Sequence, residues 1–359
     1  MNRQTAGLPV VLAAGVWFSA WSLYAQPAAS MTAHFIDVGQ AHSTLLEFSC
    51  GAMLIDTGTQ DDDYEEDLID YLDDFFDRRT DLNRTLDSVL ITHNHLDHTR
   101  SLRKVVEEFT VERYFDNGFT TGSGRVAPNW LKAEVGAGNR KILVRDISDV
   151  EVEAQGGTQG LTDSDIDPFA CPERDPRICI LQGRFDANPG WPEGDFDNQN
   201  NHSLITRIDF GTSSFLFMGD AEEAGIELLV SYYGKLPGGL LDVDVLQVGH
   251  HGSQNATTQE LLDAVTPRIA VIPVGKWDFG EDGGTFTTFA FGHPRKAAVD
   301  LLAQHMTRRR TPSKTVRVAE KAKQFQNQRV TDAIYATGWD GTVRVVAQYS
   351  GALSVYRNH

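Results

Sequence analysis

Cysteine is scarce in this chain, with three in 359 residues. That excludes a disulfide scaffold, and none of the three has the spacing of a zinc-binding thiolate motif. Basic residues are outnumbered, 32 against 50 acids, which leaves a formal charge of −18. Such a chain repels polyanions at long range, so nucleic acid is disfavoured as a partner. A nuclease is not excluded, because bound cations reverse the sign locally. The one obvious basic run, Arg308, Arg309 and Arg310 with Lys314, reads as a solvated surface loop. Beyond the first 25 residues no segment is apolar for long enough to span a membrane. There is no internal repeat of fixed period. Hydrophobic residues make up 41%, ordinary for a globular protein with a sizeable core.

Residues 1–25 have the pattern of an export signal. Arg3 supplies the positive start, Leu8 to Tyr24 is almost wholly apolar, and Ala25 precedes Gln26-Pro27. The reading is a cleaved leader, a secreted or periplasmic product, and no stable membrane insertion after cleavage; a retained anchor is the alternative. In an exported protein Cys171 and Cys179, which flank a short Pro-rich loop, are the expected pair. Cys50 is then left over, buried beside Phe48.

Periodicity predicts strands over 32–38, 43–48 and 52–55, broken by the Asp56-Thr57-Gly58 turn. Residues 61–77 are acidic but carry Leu68, Ile69, Leu72, Phe75 and Phe76 at helical spacing. Strands are expected again over 88–91, 203–210, 214–218, 243–248 and 269–274, and helices over 101–109, 222–232, 258–265 and 294–305. Residues 342–349 and 353–356 read as a closing hairpin. The stretch 116–198 is rich in Gly, Asp, Asn and Pro and reads as a loop-rich insertion with a few short strands near the mouth of a site. The domain is taken as 31–359, with two packed sheets, helices outside, and the chemistry gathered at one edge.

Histidine is also scarce, 11 in all, yet three fall within His93-Asn94-His95-Leu96-Asp97-His98. This cluster follows the apolar run Ser88-Val89-Leu90-Ile91, so it sits at the C-terminal end of a buried strand, where α/β folds place their sites. Neutral imidazole suits zinc, and a carboxylate adds charge compensation. His93 and His95 are placed to share one metal, and Asp97 with His98 to hold a second. Asp220 and the pair His250-His251 end later strands in the same way.

Four segments together resemble the metallo-β-lactamase superfamily, and within it the extracellular hydrolase domain of competence (DNA-uptake) proteins and its secreted phosphoesterase relatives. They are Phe35-Ile36-Asp37-Val38-Gly39-Gln40, Thr92 to His98, Leu216-Phe217-Met218-Gly219-Asp220-Ala221-Glu222, and Asp244 to Ser253. The resemblance implies a four-layer αββα sandwich and two divalent metal ions, Zn2+ favoured over Mn2+. His93, His95, Asp97, His98, Asp220 and His251 are its implied ligands, with Asp220 bridging. Asp56 is implied as the residue that orients a metal-bound histidine.

The sequence departs from the branch in three places. The opening motif continues Ala41-His42 where relatives carry Gly-Asp, so His42 either reaches the site or is an ordinary surface residue. The last ligand of the first metal is His202 or Asn201. His250 and His251 compete for one position, the lean being to His251, with His250 left for catalysis beside Asp97. Glu222 and His293 are expected to face substrate.

The function so implied is an exported dinuclear hydrolase of small or polymeric phosphoesters, using a metal-bound hydroxide. A lactam or lactone hydrolase with the same centre is the second reading. A metal-containing binding protein without turnover is the third.

Overall fold

The computed structural model describes residues 30–234 and 239–357. The leader expected over 1–25 lies outside them. Among the described residues no helix is long and apolar enough to cross a membrane.

The first acidic stretch shows how local chemistry becomes architecture. Helix Asp62–Arg78 is capped by the Asp61 side chain, which accepts from the Tyr64 amide. Asp62, Asp63 and Glu65 occupy its first turn and Arg78 its last, matching the helix dipole. Its inner face buries Leu68, Ile69, Leu72, Phe75 and Phe76. Each such side chain contributes about 1.5–3 kcal/mol on leaving water.

That face packs on an eight-stranded sheet whose order is Leu353–Arg357, Val343–Gln348, Ser30–Phe35, Thr44–Glu47, Ala52–Ile55, Ser88–Leu90, Arg113–Asp116, Leu143–Asp146. The first five strands pair antiparallel and the last four parallel. Because side chains alternate along a strand, Leu45, Leu54, Val89 and Tyr114 face helices Asp62–Arg78, Leu102–Glu108 and Val126–Gly136. Phe35, Leu46, Met53 and Ile55 face the other way, into the main core.

A second sheet of six strands closes that core, in the order Ile334–Ala336, Ile269–Ile272, Val245–Gln247, Ser213–Phe217, Ile205–Phe210, Arg177–Gln182. The Phe35 and Phe217 rings meet across the two sheets at 6.1 Å. Helices Glu223–Tyr233, Gln259–Val265 and Lys296–His305 supply Ile226, Leu229, Leu261, Leu262, Val299 and Leu302 to the same core. The result is helix, sheet, sheet, helix, the expected four layers.

Three expectations change. The span 116–198 is more ordered than a loop-rich insertion: it holds helix Val126–Gly136 and adds an edge strand to each sheet, Leu143–Asp146 and Arg177–Gln182. The basic run is no solvated loop. Arg310 is buried against Asp340, Lys314 joins the same carboxylate, and Arg309 pairs with Asp332, all on or beside the hairpin Arg309–Lys321 and Gln324–Asp332. Finally, the disulfide joins Cys50 to Cys171, with Cα atoms 5.3 Å apart, and leaves Cys179 free and buried. Cys179 lies on the edge strand Arg177–Gln182, inside the core, and burial pushes its thiol up to about 11. Cys50 sits in the turn after Thr44–Glu47, where Phe48 packs on Phe169 at 4.5 Å and brings the two sulfurs together.

Candidate metal centre

Strand ends from both sheets converge at one edge. Ser88–Leu90 delivers Thr92 to His98, Ser213–Phe217 delivers Asp220, and Val245–Gln247 delivers His250 and His251. The backbone is forced into the left-handed region at Asp56 (φ 58°), His250 (φ 46°) and His251 (φ 53°). For non-glycine residues this costs about 1–3 kcal/mol each, and such strain gathers where a site over-determines its geometry. Gly58 is demanded by close approach, since a Cβ there would lie 1.6 Å from the Asp97 carbonyl oxygen. The Asp56-Thr57-Gly58 turn therefore lies flat against the Asp97-His98 backbone, where the Thr57 amide donates to the His98 carbonyl.

Asp56 organises the floor of the site. One carboxylate oxygen accepts from the Thr92 amide at 2.7 Å, and the other accepts from His98 Nδ1 and His42 Nδ1, each at 2.7 Å. Burial opposes its ionisation, but His98 and His42 outweigh that and hold its pKa well below the carboxylate range. His42 is thus neither a surface residue nor a member of the central cluster. It is buried behind Asp56, with Nε2 3.1 Å from the Thr44 hydroxyl.

His98 donates through Nδ1, so the neutral ring carries its lone pair on Nε2. With protons alone, burial disfavours charge on this ring, but Asp220 and Asp56 outweigh burial and raise its pKa well above the usual value. Nε2 is buried and makes no hydrogen bond, although Asp220 Oδ2 lies 3.2 Å away. His251 repeats the arrangement. Its Nδ1 donates to the Pro273 carbonyl at 2.8 Å, and its Nε2 faces Asp97 at 3.2 Å and Asp220 at 3.5 Å. An imidazole lone pair aimed at a carboxylate is repulsive unless a proton or a cation lies between them. With protons alone, burial disfavours charge on His251, yet Asp220 and Asp97 push its pKa up to about 10. Ligand atoms of Asp97, His98, Asp220 and His251 all lie within 4.8 Å of one another. This donor set fits a divalent ion.

His93 and His95 form the neighbouring pair, His93 Nε2 lying 3.1 Å from His95 Nδ1. Burial, helped by the charge of His98, pushes both pKa values down, so both rings are neutral donors. His250 stands at the rim, with Nδ1 3.1 Å from Glu222 Oε1 and Nε2 4.0 Å from Asp220 Oδ2. Glu222 is fixed by the side-chain amides of Asn200 at 2.7 Å and Asn198 at 3.0 Å. His293 closes the same wall, its ring 5.7 Å from His250 and 6.2 Å from His251.

His202 does not join them. Its Nε2 binds the Phe196 carbonyl at 2.7 Å and its Nδ1 accepts from the Phe185 amide at 3.1 Å, so neither ring nitrogen is free. The ring is boxed by Phe119, Phe185, Trp191 and Phe196. Asn201 is equally occupied: its Oδ1 accepts from the Glu222 and Gly225 amides and caps helix Glu223–Tyr233. The sequence reading missed the groups that hold the site in place: Thr92, which bonds Asp56 through amide and hydroxyl, and Gln40, which reaches His293. Gln40 lay within the opening motif, but nothing in its spacing told its partner.

A family model described as the metallo-beta-lactamase superfamily matches residues 36–276. The chain belongs to that superfamily. Recombination protein 2 of Haemophilus influenzae is 40% identical over 79 residues, 22% of this chain and 9% of that protein. ComE operon protein 3 of Bacillus subtilis is 29% identical over 111 residues, 31% of this chain and 12% of that one. The uncharacterized protein YcaI of Escherichia coli is similar over 276 residues at 24% identity, 76% of this chain and 29% of YcaI. Each match therefore spans less than a third of the relative's own length, and the likeness is to the competence-type branch of this superfamily of hydrolases.

Proposed function

We propose that this chain is an exported phosphoesterase that works with two divalent ions. The observation that carries the reading is the convergence of Asp97, His98, Asp220 and His251 within 4.8 Å, next to the neutral pair His93 and His95. His93 and His95 would hold one ion, Asp97, His98 and His251 the other, and Asp220 both. The imidazole-rich set favours zinc. Bound there, the ions supply an activated water and neutralise charge on a phosphoryl group.

The chain's own residues do the rest. Asp56 fixes the tautomer and orientation of His98. The Glu222 carboxylate lies 3.1 Å from His250 Nδ1 and favours the protonated ring, whose Nε2 is then on the side of Asp220, where it can give a proton to the departing oxygen. Asp220 and His251 are buried, so the inner side of the reacting centre would be shielded from bulk water.

The test is a panel of bis-p-nitrophenyl phosphate, a phosphocholine ester and nitrocefin, each with and without chelator. Chelator-sensitive turnover of a phosphoester is expected. Turnover of nitrocefin alone would overturn the substrate class, and no turnover of any with metal retained would leave a binding protein.

A further inference from the structure

His293 comes from the far side of the chain, at the end of the Gly- and Phe-rich stretch 277–292, and still enters the metal pocket. Gln40, from the opening motif, places it there. The Gln40 backbone amide donates to Gln60 Oε1 at 2.7 Å, which pins the residue. The Thr288 hydroxyl donates to Gln40 Oε1 at 2.9 Å, leaving the Gln40 amide nitrogen to donate to His293 Nδ1 at 3.2 Å. A ring that accepts at Nδ1 carries its hydrogen on Nε2. Among the described residues the His293 ring makes its one side-chain hydrogen bond to Gln40, which leaves Nε2 without a partner, and the ring centre lies 5.7 Å from that of His250. The faces of the ring are held as well, since His293 lies nearly parallel to His251 (17°) and to Phe291 (16°).

We propose that Gln40 and Thr288 are positioning residues that lock His293 as an uncharged Nε2–H donor to a phosphoryl oxygen of the substrate. The inference rests on the phosphoester reading for its ligand, and on the Thr288–Gln40–His293 chain for its geometry. An uncharged donor suits this wall. Divalent ions held by His251, Asp97 and Asp220 would repel a cationic ring on this wall, whereas a fixed N–H dipole stabilises developing negative charge without that repulsion. The stretch 277–292 is tied to the opening motif through the Thr288–Gln40 hydrogen bond, so its position and the polarity of His293 are set together.

The experiment uses the full metal-loaded protein and reads histidine side-chain 15N shifts, metal content and kinetics. Wild type is expected to show His293 protonated at Nε2 only, and added inorganic phosphate is expected to move that resonance. Gln40→Glu offers His293 Nδ1 only acceptors, so the hydrogen is expected to move to Nδ1. Gln40→Met removes the donor without adding charge and keeps the comparison open should the glutamate variant not fold. His293→Ala is expected to lower kcat on bis-p-nitrophenyl phosphate about a hundredfold, with two ions retained, and Gln40→Met to add nothing further in that background. A hydrogen on Nδ1 in wild type, or a His293 resonance indifferent to phosphate, would overturn the proposal. Failure to hydrolyse any phosphoester while both NMR results hold would overturn the substrate reading and leave His293 as a phosphate-binding donor.

Discussion

Asp56 accepts from His98 and His42 through the same carboxylate oxygen, at 2.7 Å each. One carboxylate thus orients a ring of the central cluster and a ring behind it. Asp56→Ala is expected to lower metal affinity or activity about 10–100-fold. His42→Ala should lose less, because Thr92 and His98 still fix Asp56. Metal titration of both variants checks the order, and equal losses would show that His42 contributes as much as Asp56.

His250 and His251 should separate by role. His251→Ala removes a ring whose Nε2 faces two carboxylates, so metal content is expected to fall. His250→Ala is expected to keep the metal and lose about a hundredfold to ten-thousandfold in kcat. Elemental analysis beside kinetics decides it; retention of full metal and full turnover by both would remove this motif from the site.

His202 gives the converse test. Both its nitrogens bind backbone groups, so His202→Ala should retain metal and be destabilised by about 1–3 kcal/mol, measured by urea denaturation. Loss of one ion without loss of stability would restore it as a ligand.

Acid stability should depend on Glu47. It is buried among Arg78, Arg79 and His34, with contacts of 2.6, 3.0 and 3.2 Å. Burial opposes its ionisation, but hydrogen bonds from His34 and Arg78 outweigh that and hold its pKa below the ordinary 4.5. A depressed carboxylate stabilises the fold above its unfolded pKa, and that stabilisation is lost as pH falls through the folded value. Glu47→Gln is therefore expected to cost about 3–5 kcal/mol at pH 7. The gap should narrow progressively below pH ~4.5. A constant gap from pH 7 to pH 3 would show that the loss is packing alone.

The Cys50–Cys171 bridge closes a separation of 121 residues. A double Cys→Ser variant should lose about 2–4 kcal/mol, chiefly because the unfolded chain regains freedom. The melting temperature of the oxidised wild type against the variant reads this directly, and equal values would show that the bridge is absent from the folded population.

The sheets and most of the cluster were legible because their signals are local. Apolar runs such as Ser88-Val89-Leu90-Ile91 announce buried strands, and His93 to His98 crowd ligands into one turn. What stayed hidden depended on distance in the chain. Cys171 lies eight residues from Cys179, yet it is Phe48 on Phe169 that decides its partner. His202 carries the right residue type near the right strand, and four aromatic rings with two backbone groups claim it instead. Arg310 looked solvated because its counter-ion, Asp340, comes 30 residues later.

The candidate ligand set is divided between the sheets. His93, His95, Asp97 and His98 follow a strand of one, and Asp220 and His251 follow strands of the other. Neither half is complete, and docking the sheets brings two carboxylates together, half-buried Asp97 and buried Asp220. A cation that binds only the docked halves is thermodynamically linked to their docking, adding about 2.7 kcal/mol when its free concentration is a hundred times its Kd. If the proposed ions bind there, this linkage would make the chain's lifetime as a folded protein a function of the metal supply around it.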